Sequence, residues 1–255
     1  MSMKRAPDET VVAGRNPVRE LIETSPERVE KVLIQRGANG RPIDQIQRLA
    51  HHAKLPVQHV PQAKLERLVP GVNHQGVAAV SAPVAYRDLD DMLQEIAADW
   101  DTVQARKPML LLLDRIEDPH NFGALLRTAV AAGVDGVVVP QQHMAPLNAA
   151  AMKTSAGTAH HVPVARVGNL ADAMLQLKER GYWLAGADGA GETSVWEMDW
   201  DRPIAVVLGS EGRGLRRRVQ DTCDYLVSIP LRGPAESLNV SVAGGILLFA
   251  ASRHR

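Results

Sequence analysis

The chain has 255 residues, of which 45% are hydrophobic and 23% charged, ample for a packed globular core in one large domain or two smaller ones. Its longest apolar runs, MLLLL and VAGGILLFAA, fall short of the ~20 residues a membrane span needs, and the charged opening MSMKRAPDET lacks the apolar core of a secretory signal. The single cysteine, Cys223, forms no internal disulfide and offers no metal-ligand spacing, so a cytoplasmic protein without a metal is expected.

The formal net charge is zero but unevenly spread. Residues 1–82 carry 12 Lys and Arg against 8 Asp and Glu, residues 83–108 carry 3 against 6, and residues 109–255 carry 14 against 15. A basic first segment, an acidic connector and a near-neutral remainder point to two domains with different duties. As a sign of a nucleic-acid partner, an excess of four positive charges is weak taken alone.

In chain order, Asn16-Pro17 is a good helix start, with Asn16 as N-cap, and opens NPVRELIET. VEKVLIQ then has strand character, RPIDQIQRLAHHAK helix, PVQHV strand, PQAKLERLV helix and GVAAVSA strand. Pro83 and the acidic DLDDMLQEIAADWD form a helical linker over residues 83–108. From MLLLLD onward the strands are continuous apolar runs, as in a sheet covered on both faces. MLLLLD leads to a helix from Phe122 to Ala132, and GVVVP to a helix near PLNAAAMK. HVPVARV precedes the helix ADAMLQLKERG; YWLAGAD and PIAVVLGS follow, then a helix after Gly214, DYLVSIP and a closing helix from Val240. The alternation predicts an α/β domain with a mostly parallel sheet, whose ligands sit beyond the carboxyl ends of the strands.

Three segments after strands attract attention for that reason. In DPHNFGALLRTA, Asn121 and Gly123 are placed in the turn and Arg127 on the helix beyond. In LGSEGRGL, Gly209, Gly212 and Gly214 let the backbone approach a ligand or take positive φ, without the spacing of a dinucleotide or Walker loop. In IPLRGPAESLNVSVA, a proline and glycine loop enters a helix whose opening is polar; Ser237 or Asn239 is either an N-cap, a site residue, or both.

Together the three segments resemble the motifs of the SpoU branch of the SPOUT RNA 2′-O-ribose methyltransferases, over residues 109–255. Residues 1–82, through AGRNPVREL and HQGVAA, resemble the L30e-like RNA-binding domain at the front of some members, among them the guanosine methyltransferases of large-subunit rRNA. The resemblance implies an α/β SPOUT domain with a trefoil knot, a homodimer, and S-adenosylmethionine as cofactor. It puts Gly209, Ile229 and Leu238 at the cofactor, with Leu208 and Leu231 beside them. It puts Arg127 at the reaction centre and Asn121, Glu211, Ser237 and Asn239 around the same site as the catalytic set. Arg15, Asn16, His74 and Gln75, polar groups next to glycine turns, are candidates for RNA contact or plain solvated turns. The scarcity of aromatics, 4% of the chain, favours recognition of folded RNA by shape and backbone over base stacking.

Arg127 is a poor proton acceptor, because a guanidinium has a pKa above ~12; a forked grip on a phosphate suits it better. Glu211 reads equally as a catalytic group or as a solvated partner for Arg127 or Arg213. Arg216, Arg217 and Arg218 are an RNA patch or a solvated helix face, and His160 and His161 are structural. The function expected is methylation of a ribose 2′-hydroxyl on a guanosine of bacterial large-subunit rRNA. The alternatives are 2′-O-methylation of tRNA or of another rRNA nucleotide, and a non-catalytic RNA-binding assembly factor.

Overall fold

The structure, a computed structural model, describes residues 10–81, 85–147, 149–156 and 158–253; Pro83 lies outside them. The chain divides into two units, Met1–Ala85 with Pro146–Ala149, and Tyr86–Ala145 with Ala150–Arg255.

The first unit runs β1 (Thr10–Ala13), α1 (Arg15–Thr24), β2 (Val29–Gln35), α2 (Arg41–His52), β3 (Val57–Val60), α3 (Gln62–Leu68) and β4 (Val77–Ser81). Its sheet has the order β1-β4-β2-β3, with β2 and β3 parallel and β4 antiparallel to both β1 and β2. Alternation along β2 sends its side chains to two faces. Val32 and Ile34 pack with Val18 and Ile22 of α1 and Ile43 and Ile46 of α2, while Leu33 packs with Leu65 of α3. β1 is an element that the sequence reading missed, because four residues beside a charged opening carry too short a pattern to register. Asn16 is not the cap of α1: the helix begins at Arg15 after Gly14, which has φ 102° and makes no side-chain cap bond.

The second unit begins with α4 (Leu89–Ile96) and α5 (Trp100–Arg106). These are the helices expected as an acidic linker, but they are built into the core. Leu89, Met92, Leu93 and Ile96 are spaced for one helix face, and they pack in one cluster with Leu110, Leu112, Val138 and Met174. The acidic residues lie on the other side, where Asp88 and Asp99 cap the two helices through Asp90 N and Thr102 N, each at 2.8 Å.

There follow β5 (Met109–Leu113), α6 (Pro119–Ala132), β6 (Gly136–Pro140), α7 (Ala149–Thr154), β7 (Val164–Val167), α8 (Leu170–Glu179), β8 (Trp183–Ala187), β9 (Thr193–Ser194), β10 (Ile204–Leu208), α9 (Arg217–Thr222), β11 (Tyr225–Ser228) and α10 (Val240–Ser252). The sheet order is β7-β6-β5-β10-β8-β11-β9, and every pairing is parallel. All five residues of β5, β6 and β10 are buried, as the unbroken apolar runs require of a sheet covered on both faces. Among the described residues no helix is long and apolar enough to cross a membrane.

Candidate functional site

Parallel strands share a carboxyl edge, so the segments after β5, β8, β10 and β11 leave the sheet on one side. The strand order reverses between β5, which leads outward to β6 and β7, and β10, which adjoins β8. A reversal of this kind opens a crevice at the carboxyl edge, and the three motif segments meet there.

The loop after β10 is a tight hairpin. Ser210 and Gly214 exchange backbone hydrogen bonds of 3.1 and 2.9 Å, and Gly212 and Gly214 have φ of 75° and 63°. At Gly209 a Cβ would stand 2.2 Å from the carbonyl carbon of Gly214, so no side chain fits. The loop is tied to the end of β5 by Asp114, whose fully buried carboxylate accepts from Arg216 N at 2.8 Å and Arg216 Nε at 2.7 Å. Arg217 faces Asp221 at 3.7 Å and Arg218 faces Asp172 at 2.6 Å. Arg216 is thus engaged by Asp114, whereas the Arg217 and Arg218 side chains are 93% and 66% exposed on a solvated helix face.

The segment after β5 enters its helix earlier than the sequence pattern indicated. Asp118 caps α6 through His120 N at 2.9 Å and Pro119 takes a first-turn position, a favourable start signal. Asn121 and Gly123 therefore sit on the helix and not in the turn. Gly123 marks a close crossing, since a Cβ there would stand 2.4 Å from the Ala151 carbonyl oxygen.

At α10 the cap is Asn239, whose Oδ1 accepts from Ser241 N at 2.9 Å; Ser237 does not cap. The same asparagine donates through Nδ2 to Glu211 Oε1 at 2.6 Å and to Asn121 Oδ1 at 3.0 Å, and Asn121 Nδ2 donates to Glu211 Oε2 at 3.3 Å. One polar triangle thus joins the three motif segments, with a carboxylate oriented by two amides.

Beside the triangle lies a cleft of about 270 Å³. All five residues expected at the cofactor, Leu208, Gly209, Ile229, Leu231 and Leu238, line it, and so do Ser237 and Glu211. A second cleft of about 280 Å³ is lined by Arg115, Asp118, Asn121 and Arg213, and shares Ser210, Glu211 and Val240 with the first. Glu211 thus borders both.

Comparison with known proteins gives the family. Residues 108–249 match the model of the SpoU rRNA Methylase family, and residues 11–87 match that of the RNA 2′-O ribose methyltransferase substrate-binding domain. The chain belongs to the SpoU/TrmH methyltransferase family. A protein of Staphylococcus haemolyticus assigned to the TrmH family of tRNA/rRNA methyltransferases is 42% identical over 97% of both chains. The SpoU methyltransferase AviRb of Streptomyces viridochromogenes, in complex with AdoMet, is 26% identical with a TM-score of 0.59, over 96% of this chain and 90% of that one. A TrmH/SpoU tRNA-modifying enzyme of A. aeolicus is 31% identical with a TM-score of 0.53, over 58% of this chain and 76% of its own.

Among the SpoU motif residues, Arg127 stands apart. It lies six residues beyond Asn121 on α6, about 120° away around the helix, exposed and without a hydrogen bond or ion pair among the described residues. In the first unit, Arg15, His74 and Gln75 line one cleft, while Asn16 is exposed outside it. His160 and His161 sit exposed in a short 3-10 turn before β7, and no group of His, Cys, Asp or Glu suited to a metal occurs among the described residues. Sequence reasoning missed Asp188 and Glu236, which line the 270 Å³ cleft, and Asp114, which anchors its loop. Asp188 was open to detection, because it closes the strand run YWLAGAD at the same carboxyl edge as the motifs.

Proposed function

We propose that this SpoU/TrmH protein transfers a methyl group from S-adenosylmethionine to a ribose 2′-hydroxyl of RNA, with a guanosine of bacterial large-subunit rRNA as the target. The observation that carries the reading is the convergence of all five expected cofactor residues on one cleft whose wall, Glu211, belongs to the amide-held polar triangle.

The cleft fits the cofactor chemically. Leu208, Ile229, Leu231 and Leu238 offer apolar contact to an adenosyl moiety, the absence of a side chain at Gly209 lets the hairpin close against it to form the cleft wall, and Asp188, Glu211 and Glu236 give a negative lining suited to a sulfonium. When bound, S-adenosylmethionine supplies an electrophilic methyl group on that sulfonium. The chain's own work is then positioning, which can supply several kcal/mol of the barrier, up to ~7–11 in the best intramolecular cases. Asn121 and Asn239 hold the Glu211 carboxylate toward the shared wall of the two clefts, where it accepts a hydrogen bond from the ribose hydroxyl. Arg127 grips the adjacent phosphate in a forked contact and polarises the 2′-oxygen. The proton of the methylated hydroxyl would leave to phosphate or water, since the guanidinium of Arg127 does not accept it.

The reading includes the rest of the family's architecture: an RNA-binding domain over residues 1–82, a linker over 83–108 whose helices α4 and α5 belong to the second unit, a knotted SPOUT domain over 109–255, and a homodimer. Support for rRNA over tRNA comes from coverage. The A. aeolicus tRNA-modifying enzyme and a protein described for 2-OH methylation of C/U34 on tRNA each match only 58% of this chain, so a chain with an added front domain leans away from a tRNA target. Incubation with tritiated S-adenosylmethionine and separated rRNA and tRNA, followed by mapping of the label, tests the proposal. Label on a guanosine 2′-oxygen of large-subunit rRNA is expected; label in tRNA alone, or on a base, overturns the choice of target.

A further inference from the structure

A cleft of about 530 Å³ outside the motif site lies within the first unit beyond the carboxyl end of β2, where α1, α3 and β4 begin. Its lining is rich in groups that both donate and accept. Gln35, Gln62, Asn73, His74 and Gln75 line it, with Glu66 as its carboxylate. They are organised: Gln35 Nε2 donates to Gln62 Oε1 at 3.4 Å, and Gln62 Nε2 to Glu66 Oε1 at 2.7 Å. On the facing side, Arg15 Nε donates to the Gln75 carbonyl at 3.1 Å, Gln75 N to Asn73 Oδ1 at 3.2 Å, and Gly76 N to His74 Nδ1 at 3.0 Å. Gln75 itself is held at φ 48°, a left-handed conformation uncommon for a residue with a side chain.

Two further features narrow the ligand. Arg15 is the only cation among the lining residues that is always charged, and Glu66 offsets it, so a phosphate would meet a repelling carboxylate with little compensation. Val69 and Val72 also line the cleft, and Val72 is 52% exposed, an apolar surface beside an amide-rich edge. A flat heterocycle with donors and acceptors on its rim matches both: its face covers valine and its edge bonds the amides and Glu66, whereas a sugar-phosphate backbone matches neither.

We propose that this cleft of the first unit reads a single unpaired nucleobase of the RNA substrate by its edge, and that Gln62 and Glu66 are specificity-determining residues. The inference rests on the reading of the protein as an RNA methyltransferase. It adds a base-specific contact to the expected recognition by shape and backbone.

The test uses the full chain and the probes rA6, rC6, rG6 and rU6, with equilibrium binding measured across a salt series. Wild type is expected to prefer one homopolymer, and Glu66→Gln and Gln62→Leu are each expected to reduce that preference by about fivefold or more while leaving the salt slope unchanged. A backbone-binding cleft behaves oppositely: Glu66→Gln strengthens all four probes together and steepens the salt slope. That result overturns the proposal, as does equal binding of all four probes by wild type. Circular dichroism of each variant reports folding, and Val72→Ser, at an exposed position, serves as the variant least able to disturb the fold; it is expected to weaken the preferred probe. Methyl transfer by wild type to total rRNA is measured in parallel. Transfer with unchanged kcat/KM and target in Glu66→Gln sinks this inference and leaves the enzymatic reading standing, whereas no transfer to any RNA sinks that reading while the homopolymer series still judges the cleft.

Discussion

At position 209 any side chain collides with the returning hairpin, because the Cβ of an alanine would stand 2.2 Å from Gly214 C and 2.4 Å from Leu215 N. Backbone atoms on both sides leave little room for relief, so Gly209→Ala must open the hairpin that forms one wall of the 270 Å³ cleft. Calorimetry should find S-adenosylmethionine bound at least about tenfold more weakly, the equivalent of ~1.4 kcal/mol, with the circular dichroism spectrum retained; unchanged affinity would remove the hairpin from the cofactor site. Cys223 gives a prediction of another kind. Burial pushes its thiol up to about 12, and its Sγ donates to the Val219 carbonyl at 3.3 Å. An unfolded cysteine titrates near ~8.5, so at pH 8 the folded chain should react with iodoacetamide roughly a thousandfold more slowly than the denatured chain. A comparable rate in both states would mean that the thiol is accessible. The motif residues were legible in the sequence because each belongs to a segment that follows a strand and has a fixed neighbour chemistry. Which of Ser237 and Asn239 caps α10 was not, because either side chain can reach a helix-start N–H and only the hydrogen bonds of Asn239 decide it. Arg127 was legible as a motif residue, but its exposure was not, since that depends on which way α6 faces.

At the scale of elements, α6 and α10 pack along each other through Gly244, where a Cβ would stand 2.5 Å from Leu125 Cδ2 and 2.7 Å from Leu208 Cδ1. Gly244→Ala gains up to ~1 kcal/mol of helix propensity and loses more to overpacking, typically ~1–3 kcal/mol. Urea denaturation should therefore show a net loss of stability. Because Leu208 also lines the cleft, S-adenosylmethionine affinity should fall in the same variant, and a variant as stable as wild type would mean that α10 shifts freely on α6. Elements with long apolar patterns, such as β5, β6 and β10, were plain in the sequence. β1, with four residues, and β9, with two, were not, because so short a strand has no measurable period and is defined by its neighbour. The acidic segment 83–108 shows a different limit. Net charge describes the solvent face of α4 and α5, whereas their place in the core was written in the spacing of Leu89, Met92, Leu93 and Ile96, a pattern that a charge count averages away.

For the whole molecule, the position of Arg127 carries the argument. A reaction centre assembled from one chain would gather its motif residues, and this chain gathers Asn121, Glu211 and Asn239 while leaving Arg127 exposed about 120° away on α6. Helix α10, which packs on α6, exposes Val242 and Phe249, seven residues apart on one face and 51% and 52% accessible, apolar groups that the proposed homodimer would cover. Neither apolar periodicity nor motif spacing encodes a second copy of the chain or the threading of a knot, which is why both entered from resemblance alone. If the proposed homodimer forms through α6 and α10, its two-fold symmetry gives each site an arginine from the other subunit. Arg127→Ala and Asn239→Ala homodimers should then each be nearly inactive, since every site lacks one group. Exchanging subunits between the two variants creates heterodimers in which one site carries both defects and the other carries none. At statistical mixing half of the dimers are of this kind, so methyl transfer to rRNA should recover to about a quarter of the wild-type rate. A mixture no more active than its components would mean that Arg127 serves the site of its own chain, and sedimentation of the mixture establishes that dimers were present to exchange.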